Sequence, residues 1–220
     1  MIDNRSAALW DTLHSLLKVH ASDLLQALRP SASDNEIKKA ESALGIQFPS
    51  EMRSAYLIHD GTCGHDGDRL QRKAFFPTGD TFSPLERVVQ GWKIWLDMYK
   101  SCGFDKQLNP EHPYYVVCTP EMKIQPVIIW DPKWIPVGDS GSNAKIFLDL
   151  NPGPSGNYGQ LLEHGGVDVP EKTLANDLNN FIKILIIRLE RKMIFYKDSM
   201  WYWTKSGESI IVWDDPEGAR

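Results

Sequence analysis

The sequence is poor in the features that mark secreted, metal-binding or membrane-spanning proteins. Its three cysteines are widely spaced and form no CxxC pair, lying at Cys63, Cys102 and Cys118. This spacing argues against a disulfide framework and a zinc ribbon, so we expect reduced thiols, most of them buried. The apolar run at 181–189 contains Lys183 and Arg188 and is too short to cross a bilayer. Because no secretory signal is visible, we expect a cytoplasmic protein that does not bind membranes.

Positive charge is also in short supply. The chain has 24 Lys and Arg against 29 Asp and Glu, a net charge of −5. Direct binding of nucleic acid needs a basic face and is therefore disfavoured. No GxSxG motif or Cys/His signature supports a catalytic nucleophile. The hydrophobic content of 42% and the length of 220 residues suit one folded domain with additions.

The densest cluster of metal-binding residue types comprises His59, Asp60, Cys63, His65 and Asp66. A zinc site needs ligands at tetrahedral spacing, usually with a second pair elsewhere in the chain. His112 and His164 are isolated and supply no such pair. We therefore interpret the cluster as a polar loop after a helix, and we expect neither a metal nor a cofactor.

Periodicity and capping signals predict several helices. Leucines at helical spacing indicate a helix over 6–28 that is broken near His20. Ser33 and Glu36 have the spacing of a capping box, and the helix they open is expected to end at Gly45. Ser50 and Thr173 are predicted to be the N-caps of two further helices, and Ser83 with Pro84 is predicted to start another. A strand is expected over 70–76.

The most informative stretch is residues 134–166, which read WIPVGDSGSNAKIFLDLNPGPSGNYGQLLEHGG. An apolar entry and a small polar turn precede two strand-like runs, 144–150 and 158–162. A turn rich in Gly, Pro and Asn separates the two runs. The pattern predicts a hairpin with a long, stiff turn.

Two aspartates in this stretch could form a catalytic carboxylate pair, which would need convergent geometry and perturbed pKa values. Asp139 lies in a Gly/Ser/Asn turn, where aspartate usually accepts from its own backbone. Asp149 precedes the second turn and could hold backbone N–H groups there. We favour these structural roles. A phosphate loop is disfavoured because the glycines precede a strand rather than a helix.

The order W-I-P, G-D-x-G and x-L-D-L-x-P-G-P-x-G-x-x-G-Q resembles the SUKH superfamily, which includes the Smi/Knr cell-wall assembly regulators. An earlier L-G-I-x-F-P, followed by a helix ending in H-D-G, adds to the resemblance. It implies an α+β fold with a mixed, largely antiparallel β-sheet and helices packed mainly on one side. The residues of the motif that would shape this fold are Trp134, Pro136, Gly138, Asp149, Pro152, Gly153 and Gly156.

The resemblance divides the chain into three segments. Residues 1–30 form a helical extension, and 31–191 form a SUKH-like domain with a helical insertion near 83–103. An aromatic-rich tail at 192–220 could add a hairpin around 205–208.

The resemblance implies binding rather than catalysis. Bacterial SUKH proteins look like immunity proteins, so we expect the chain to neutralise a cognate toxin domain by stoichiometric occlusion. The net charge of −5 could attract a basic nuclease as that toxin. The alternative is an intracellular scaffold or regulator of cell-wall assembly, the role implied by the fungal relatives. A hydrolase using Asp139 or Asp149 is the third hypothesis.

The chain contains eight tryptophans, most of which we expect in the core. An exposed group of aromatic residues would instead anchor a protein partner, since Trp and Tyr are enriched in binding hot spots. The predicted partner-binding residues are Asp66, Asp68, Trp201, Tyr202 and Trp203.

Overall fold

The computed structural model describes residues 1–63, 72–105, 111, 115–116, 123–141, 144–165, 172–208 and 210. Within these residues the helices are α1 (Asn4–His20), α2 (Ser22–Ala27), α3 (Asp34–Leu44), α4 (Ser50–Ile58), α5 (Leu85–Ser101) and α6 (Leu178–Glu190). The strands are β1 (Thr81–Phe82), β2 (Tyr115–Val116), β3 (Val127–Ile128), β4 (Trp134–Asp139), β5 (Ala144–Asp149), β6 (Gln160–Gly165), β7 (Lys172–Ala175), β8 (Ile194–Lys197) and β9 (Met200–Trp203).

Five strands form the central sheet in the order β1-β4-β5-β6-β7, and every pairing is antiparallel. The predicted α+β class is therefore confirmed. Residues 134–166 supply three strands rather than the two of the predicted hairpin, because the apolar entry is itself β4 and pairs with both β1 and β5. A bulge between Pro136 and Gly138 shifts the register of β4 against β5.

Alternate side chains of the sheet enter two hydrophobic clusters. Ile135, Ile146 and Leu148 join the main cluster, which also contains the apolar residues of α1, α3, α4 and α6. Trp134 and Phe147 point to the opposite face, where they pack with Trp130 and with the second half of α5. The sheet is thus covered on both faces.

The N-terminal helix α1 is part of the main core. Trp10, Leu13 and Leu17 are buried there. The Ser6 hydroxyl donates to Asn179 Oδ1 in α6 at 3.1 Å, and the Ser54 hydroxyl of α4 donates to Asp3 Oδ2 at 2.8 Å. Helices from distant parts of the sequence are therefore joined by polar contacts as well as by packing.

Several local predictions are confirmed. The first helical region breaks after His20, and Ser33 and Glu36 form both bonds of the capping box. Gly45 has the expected left-handed conformation at the end of α3, with φ of 65°.

Other local predictions are wrong. Thr173 lies in β7, and Asp177 caps the last helix by accepting from Asn180 N. Ser50 is the first residue of α4, and Pro49 before it offers no side-chain acceptor. Residues 72–76 form no strand, while 70–71 lie outside the described residues. Cys63 and Cys102 are exposed, contrary to the expectation of buried thiols, and Cys118 is not among the described residues.

The tail forms a hairpin, with its turn at Asp198 and Ser199 instead of at 205–208. Both turn residues have positive φ, 50° and 67°, as a tight two-residue hairpin requires. The expected turn around Gly207 follows β9, where Gly207 N donates to Trp203 O.

None of the helices in the described part of the chain has the length and apolar character that crossing a membrane requires.

We predict that Leu13→Ala in α1 lowers the free energy of unfolding by about 2–5 kcal/mol, because it leaves a cavity in the main core. Val19, which is 75% exposed on the same helix, provides the matched control, and Val19→Ala should cost less than about 0.5 kcal/mol. Urea unfolding of both variants measures the difference. Equal effects would show that α1 is not part of the folding unit.

Candidate functional site

Asp149 lies at the centre of a hydrogen-bonded turn. Its side chain is fully buried at the end of β5. Asn151 N donates to Oδ1 and Gln160 Nε2 donates to Oδ2, both at 2.8 Å. Burial raises the pKa of Asp149 to about 6, against the lowering effect of these two hydrogen bonds. The carboxylate therefore ties both ends of the turn between β5 and β6 together.

The rest of the turn packs closely against a neighbouring segment. Gln160 Nε2 also donates to Lys123 O at 3.0 Å, and Ile124 forms a bridge with Pro152. A Cβ atom on Gly156 would lie 2.3 Å from Lys123 O, so only glycine fits there. Gly153 N donates to the same Lys123 carbonyl at 2.9 Å. These residues shape the backbone of the turn.

Asp139 and Asp149 lie too far apart to act as a catalytic pair. Asp139 pairs with Lys145, four residues before Asp149 on β5. At about 3.3 Å per residue the separation along the strand is about 13 Å. Asp139 Oδ1 accepts from Gly141 N at 2.7 Å, which is the local turn contact that the sequence suggested.

The two motifs that carry the family resemblance meet in space. Gly159 has φ of 85°, and a Cβ there would lie 3.0 Å from Pro49 Cγ of the L-G-I-x-F-P motif. The Tyr158 hydroxyl donates to Gln47 O at 3.4 Å, and Lys133 Nζ donates to Gly45 O at 3.5 Å. The loop after α3 therefore rests on the turn between β5 and β6.

A groove of about 500 Å³ lies at this junction, and we call it the motif groove. It is lined by Glu41, Ser42, Gly45, Ile46, Gln47, Lys133, Leu150 and Tyr158. Sequence reasoning used these segments only as family markers and did not select Lys133 or Tyr158. The sequence placed Tyr158 at the start of a strand-like run, whereas in the structure it lies in the turn before β6.

The chemistry of the motif groove suits binding. Glu41 accepts from Phe48 N and from Arg53, so its carboxylate is already engaged. Partial burial, with a smaller contribution from the Glu51 charge, raises the pKa of Tyr158. The phenol therefore stays protonated and can donate a hydrogen bond, while Lys133 supplies one exposed positive charge.

His59, from the cluster considered for metal binding, contacts a histidine of α1. His59 Nδ1 lies 2.6 Å from Arg29 O, and His59 Nε2 lies 2.8 Å from His14 Nε2. A carbonyl only accepts, so His59 Nδ1 donates to it and His59 Nε2 accepts from His14. Across the described ranges, no three His, Cys, Asp or Glu side chains come close enough to hold a metal ion. His65 and Asp66 lie outside those ranges.

The predicted partner-binding residues have different positions. Trp201 is fully buried, with its indole N–H donating to Ala74 O at 3.1 Å, so this side chain belongs to the core and not to a surface. Tyr202 is half-buried and stacks on Phe195, with ring centroids 5.3 Å apart. Trp203 is also half-buried, beside a second pocket. Asp66 and Asp68 lie outside the described residues.

Comparisons with known proteins identify relatives of the chain. A family model described as "SMI1 / KNR4 family (SUKH-1)" matches residues 31–184. The chain is 25% identical over 225 residues to "Cell wall assembly regulator SMI1" of Saccharomyces cerevisiae, a match that covers 92% of this chain and 44% of that protein. It is 24% identical over 188 residues to "Glucan synthesis regulatory protein" of Neurospora crassa, covering 72% and 34%. The chain thus spans less than half the length of these relatives.

The prediction of a bacterial immunity protein is wrong. These relatives are fungal proteins named as regulators, as is "Cell wall biosynthesis/cell cycle regulator smi1" of Schizosaccharomyces pombe, 23% identical over 158 residues and matched over 70% of this chain and 30% of that protein. The comparisons favour the alternative, a regulator of cell-wall assembly. The expectation of a toxin domain as partner rested on that hypothesis, and no finding tests it.

We predict that Asp149→Asn lowers the free energy of unfolding by about 1–3 kcal/mol, because an amide nitrogen would then face either Asn151 N–H or the Gln160 amide group. Asp139→Asn is the control, since its Oδ1 acceptor survives, and should cost less than about 0.5 kcal/mol. Urea unfolding at pH 7.5 measures both. Equal losses would contradict the central position of Asp149.

We also predict that His14 and His59 each lower the free energy of unfolding as the pH drops below about 6.5. Burial lowers the pKa of His14 and of His59, so below that pH the unfolded chain takes up protons that the folded chain resists. The raised pKa of Asp149 has the opposite effect. Because the folded chain takes up this proton more readily than the unfolded chain, the contribution of Asp149 to stability rises as the pH falls through about 6. The His14→Gln variant keeps a donor and should lose less stability than wild type between pH 7.5 and 6. Parallel pH profiles would contradict the assignment.

Proposed function

Because the chain belongs to the SMI1 / KNR4 family (SUKH-1), we propose that it is a cytoplasmic regulator of cell-wall assembly that acts by binding other proteins and not by catalysis. The names of the fungal relatives support a role in cell-wall assembly. Since the matches cover less than half of each of those proteins, the chain corresponds to one part of such a regulator.

The motif groove is the observation that carries the binding proposal. Its walls include residues of the two motifs that carry the family resemblance, and these motifs are distant in the chain but adjacent in the fold. A volume of about 500 Å³ is within the range of ligand-binding clefts. Residues at such a junction can serve both the fold and recognition, which makes the groove the first candidate for a partner site.

The hydrogen bonds across the motif groove are long, so bonds to a partner can replace them. Tyr158 to Gln47 O is 3.4 Å, and Lys133 to Gly45 O is 3.5 Å, both beyond the usual range of strong bonds. Tyr158 is 57% exposed. An entering peptide backbone could therefore accept from the phenol or the ammonium group at little cost. We propose an extended segment of a partner protein as the occupant.

The non-catalytic part of the proposal rests on how the charged groups are used. The buried carboxylate with the raised pKa, Asp149, is held by two donors inside a turn, and Asp139 lies about 13 Å along the strand. In the motif groove the carboxylate is engaged and the phenol is protonated. Neither arrangement offers a base beside a nucleophile.

A chimera tests the function. The segment of the S. cerevisiae regulator SMI1 that aligns with this chain is replaced by the chain, in cells lacking the native regulator. We expect the chimera to restore growth on a cell-wall-binding dye and the β-glucan content of the wall. A chimera that accumulates to the level of the native regulator and restores neither would contradict the proposal.

The motif groove is tested in the same cells with Tyr158→Ala combined with Lys133→Glu. Both side chains are exposed, so the fold should persist while rescue is lost. Ile94→Ala, which removes a 63% exposed apolar side chain from α5 outside the groove, is the matched control and should rescue fully. Full rescue by the double variant would exclude the groove as the partner site.

A further inference from the structure

A second pocket lies between the end of α6 and the β8–β9 hairpin, outside the motif groove. Its volume is about 430 Å³, and residues 191–193 and 203–206 line it. Thr204 N donates to Met193 O at 2.9 Å and joins the two walls. Met193 N donates to Arg188 O, also at 2.9 Å, and fixes the first wall to α6. We call this site the hairpin pocket.

Positive charge is concentrated around the hairpin pocket. Arg191, Lys192 and Lys205 are exposed lining residues, and no Asp or Glu is among the lining residues that belong to the described part of the chain. Arg191 and Lys192 also oppose the negative end of the α6 dipole, which is a sufficient structural reason for cations there. Lys205 comes from the opposite wall, away from the end of α6. These lining residues carry positive charge, whereas the chain as a whole has a net charge of −5.

Lys192 occupies a backbone position that favours glycine. Its φ is 53°, in the left-handed region, where a residue with a Cβ atom is disfavoured by about 1 kcal/mol. A glycine would end α6 at lower cost. The lysine side chain is therefore present against the local backbone preference, which is a common property of functional sites.

Trp203 forms the apolar wall of the hairpin pocket, and the cation over its ring limits the charge that a ligand can carry. The Arg188 guanidinium already lies over its ring, with Cζ 4.9 Å from the ring centroid. A second cation would meet this positive charge and the three cationic residues of the rim, so recognition of a cation by the ring is disfavoured. A ligand with an apolar group beside the ring and carboxylates at the rim matches both the aromatic wall and the positive charge around it.

We propose that the hairpin pocket binds a short acidic peptide segment of a partner protein, with an apolar side chain against Trp203 and flanking carboxylates near Lys192, Arg191 and Lys205. A nucleic acid is a poorer fit, because its dense phosphate charge would be repelled by the negative remainder of the chain. The inference goes beyond the proposed function, since it assigns a second surface and the chemistry of its ligand.

The test is a fluorescence anisotropy titration of the purified chain. The probe is a fluorescein-labelled heptapeptide with a central Phe flanked by Asp and Glu. A counterpart with Asn and Gln at the flanking positions measures the contribution of charge. We expect the acidic peptide to bind at least about ten-fold more tightly than the amide peptide, with affinity falling as salt rises. Equal affinities, or a preference for single-stranded DNA of the same length, would overturn the proposal.

Two substitutions at one position separate binding from folding. The Lys192→Gly variant relieves the positive φ, so it should be at least as stable as wild type, yet bind the acidic peptide about five-fold more weakly. The Lys192→Glu variant should bind about twenty-fold more weakly. Lys93→Glu, on the exposed face of α5, is the control and should retain wild-type affinity. Unchanged affinity in both Lys192 variants would also overturn the proposal.

The result is independent of the yeast chimera. Peptide binding uses the isolated chain and the hairpin pocket, whereas rescue tests the role in cell-wall assembly and the motif groove. Binding with no rescue would contradict the proposed function alone, and rescue with no binding would contradict this inference alone.

Discussion

The buried carboxylate of Asp149 is the constraint on which the rest of the structure depends. Taking a carboxylate out of water is costly, and the raised pKa of about 6 reflects that cost. The donors that compensate are Asn151 N–H, on one side of the turn, and the Gln160 amide, on the other. Satisfying the carboxylate therefore fixes the turn between β5 and β6. The same turn presses Gly159 against Pro49 and presents Tyr158 to the loop after α3, so the motif groove inherits its shape from one buried charge.

Local chemistry could be predicted from the sequence, and non-local pairing could not. The capping box at Ser33 and the turn contact of Asp139 depend on residues two or three positions away. Thr173 has the side chain of a helix cap, but it lies in β7 because that strand completes the sheet beside β6. Alternation places Trp201 and Trp203 on one face of a strand, yet only the fold shows that Trp201 meets Ala74 and is buried. The motif groove was missed for the same reason, since its walls lie about a hundred residues apart in sequence.

The resemblance identified the family and pointed first to the wrong branch of it, and the structure explains why. The residues that carried the resemblance include Trp134, buried in the sheet, and the glycines and prolines of the Asp149 turn. Such residues are held by packing and backbone geometry, which any member of the fold needs whatever its partner. In the two proposed sites, partner choice would depend on exposed side chains such as Tyr158 and Lys192. Motifs that shape a fold are thus strong evidence of ancestry and weak evidence of a binding partner.

The two candidate surfaces differ in what they can recognise. The motif groove has an exposed cation, Lys133, and presents hydrogen-bonding groups suited to a peptide backbone. The hairpin pocket has three cationic residues and an aromatic wall, which suit the proposed ligand with its carboxylates and an apolar anchor. Sites of a few hundred Å³ bind short segments weakly when they act alone. If one partner occupies both, the second contact becomes intramolecular, and the affinities combine through an effective concentration set by the segment between them. A regulator built in this way would respond to partners that present both segments at the right spacing, and would release those that present only one.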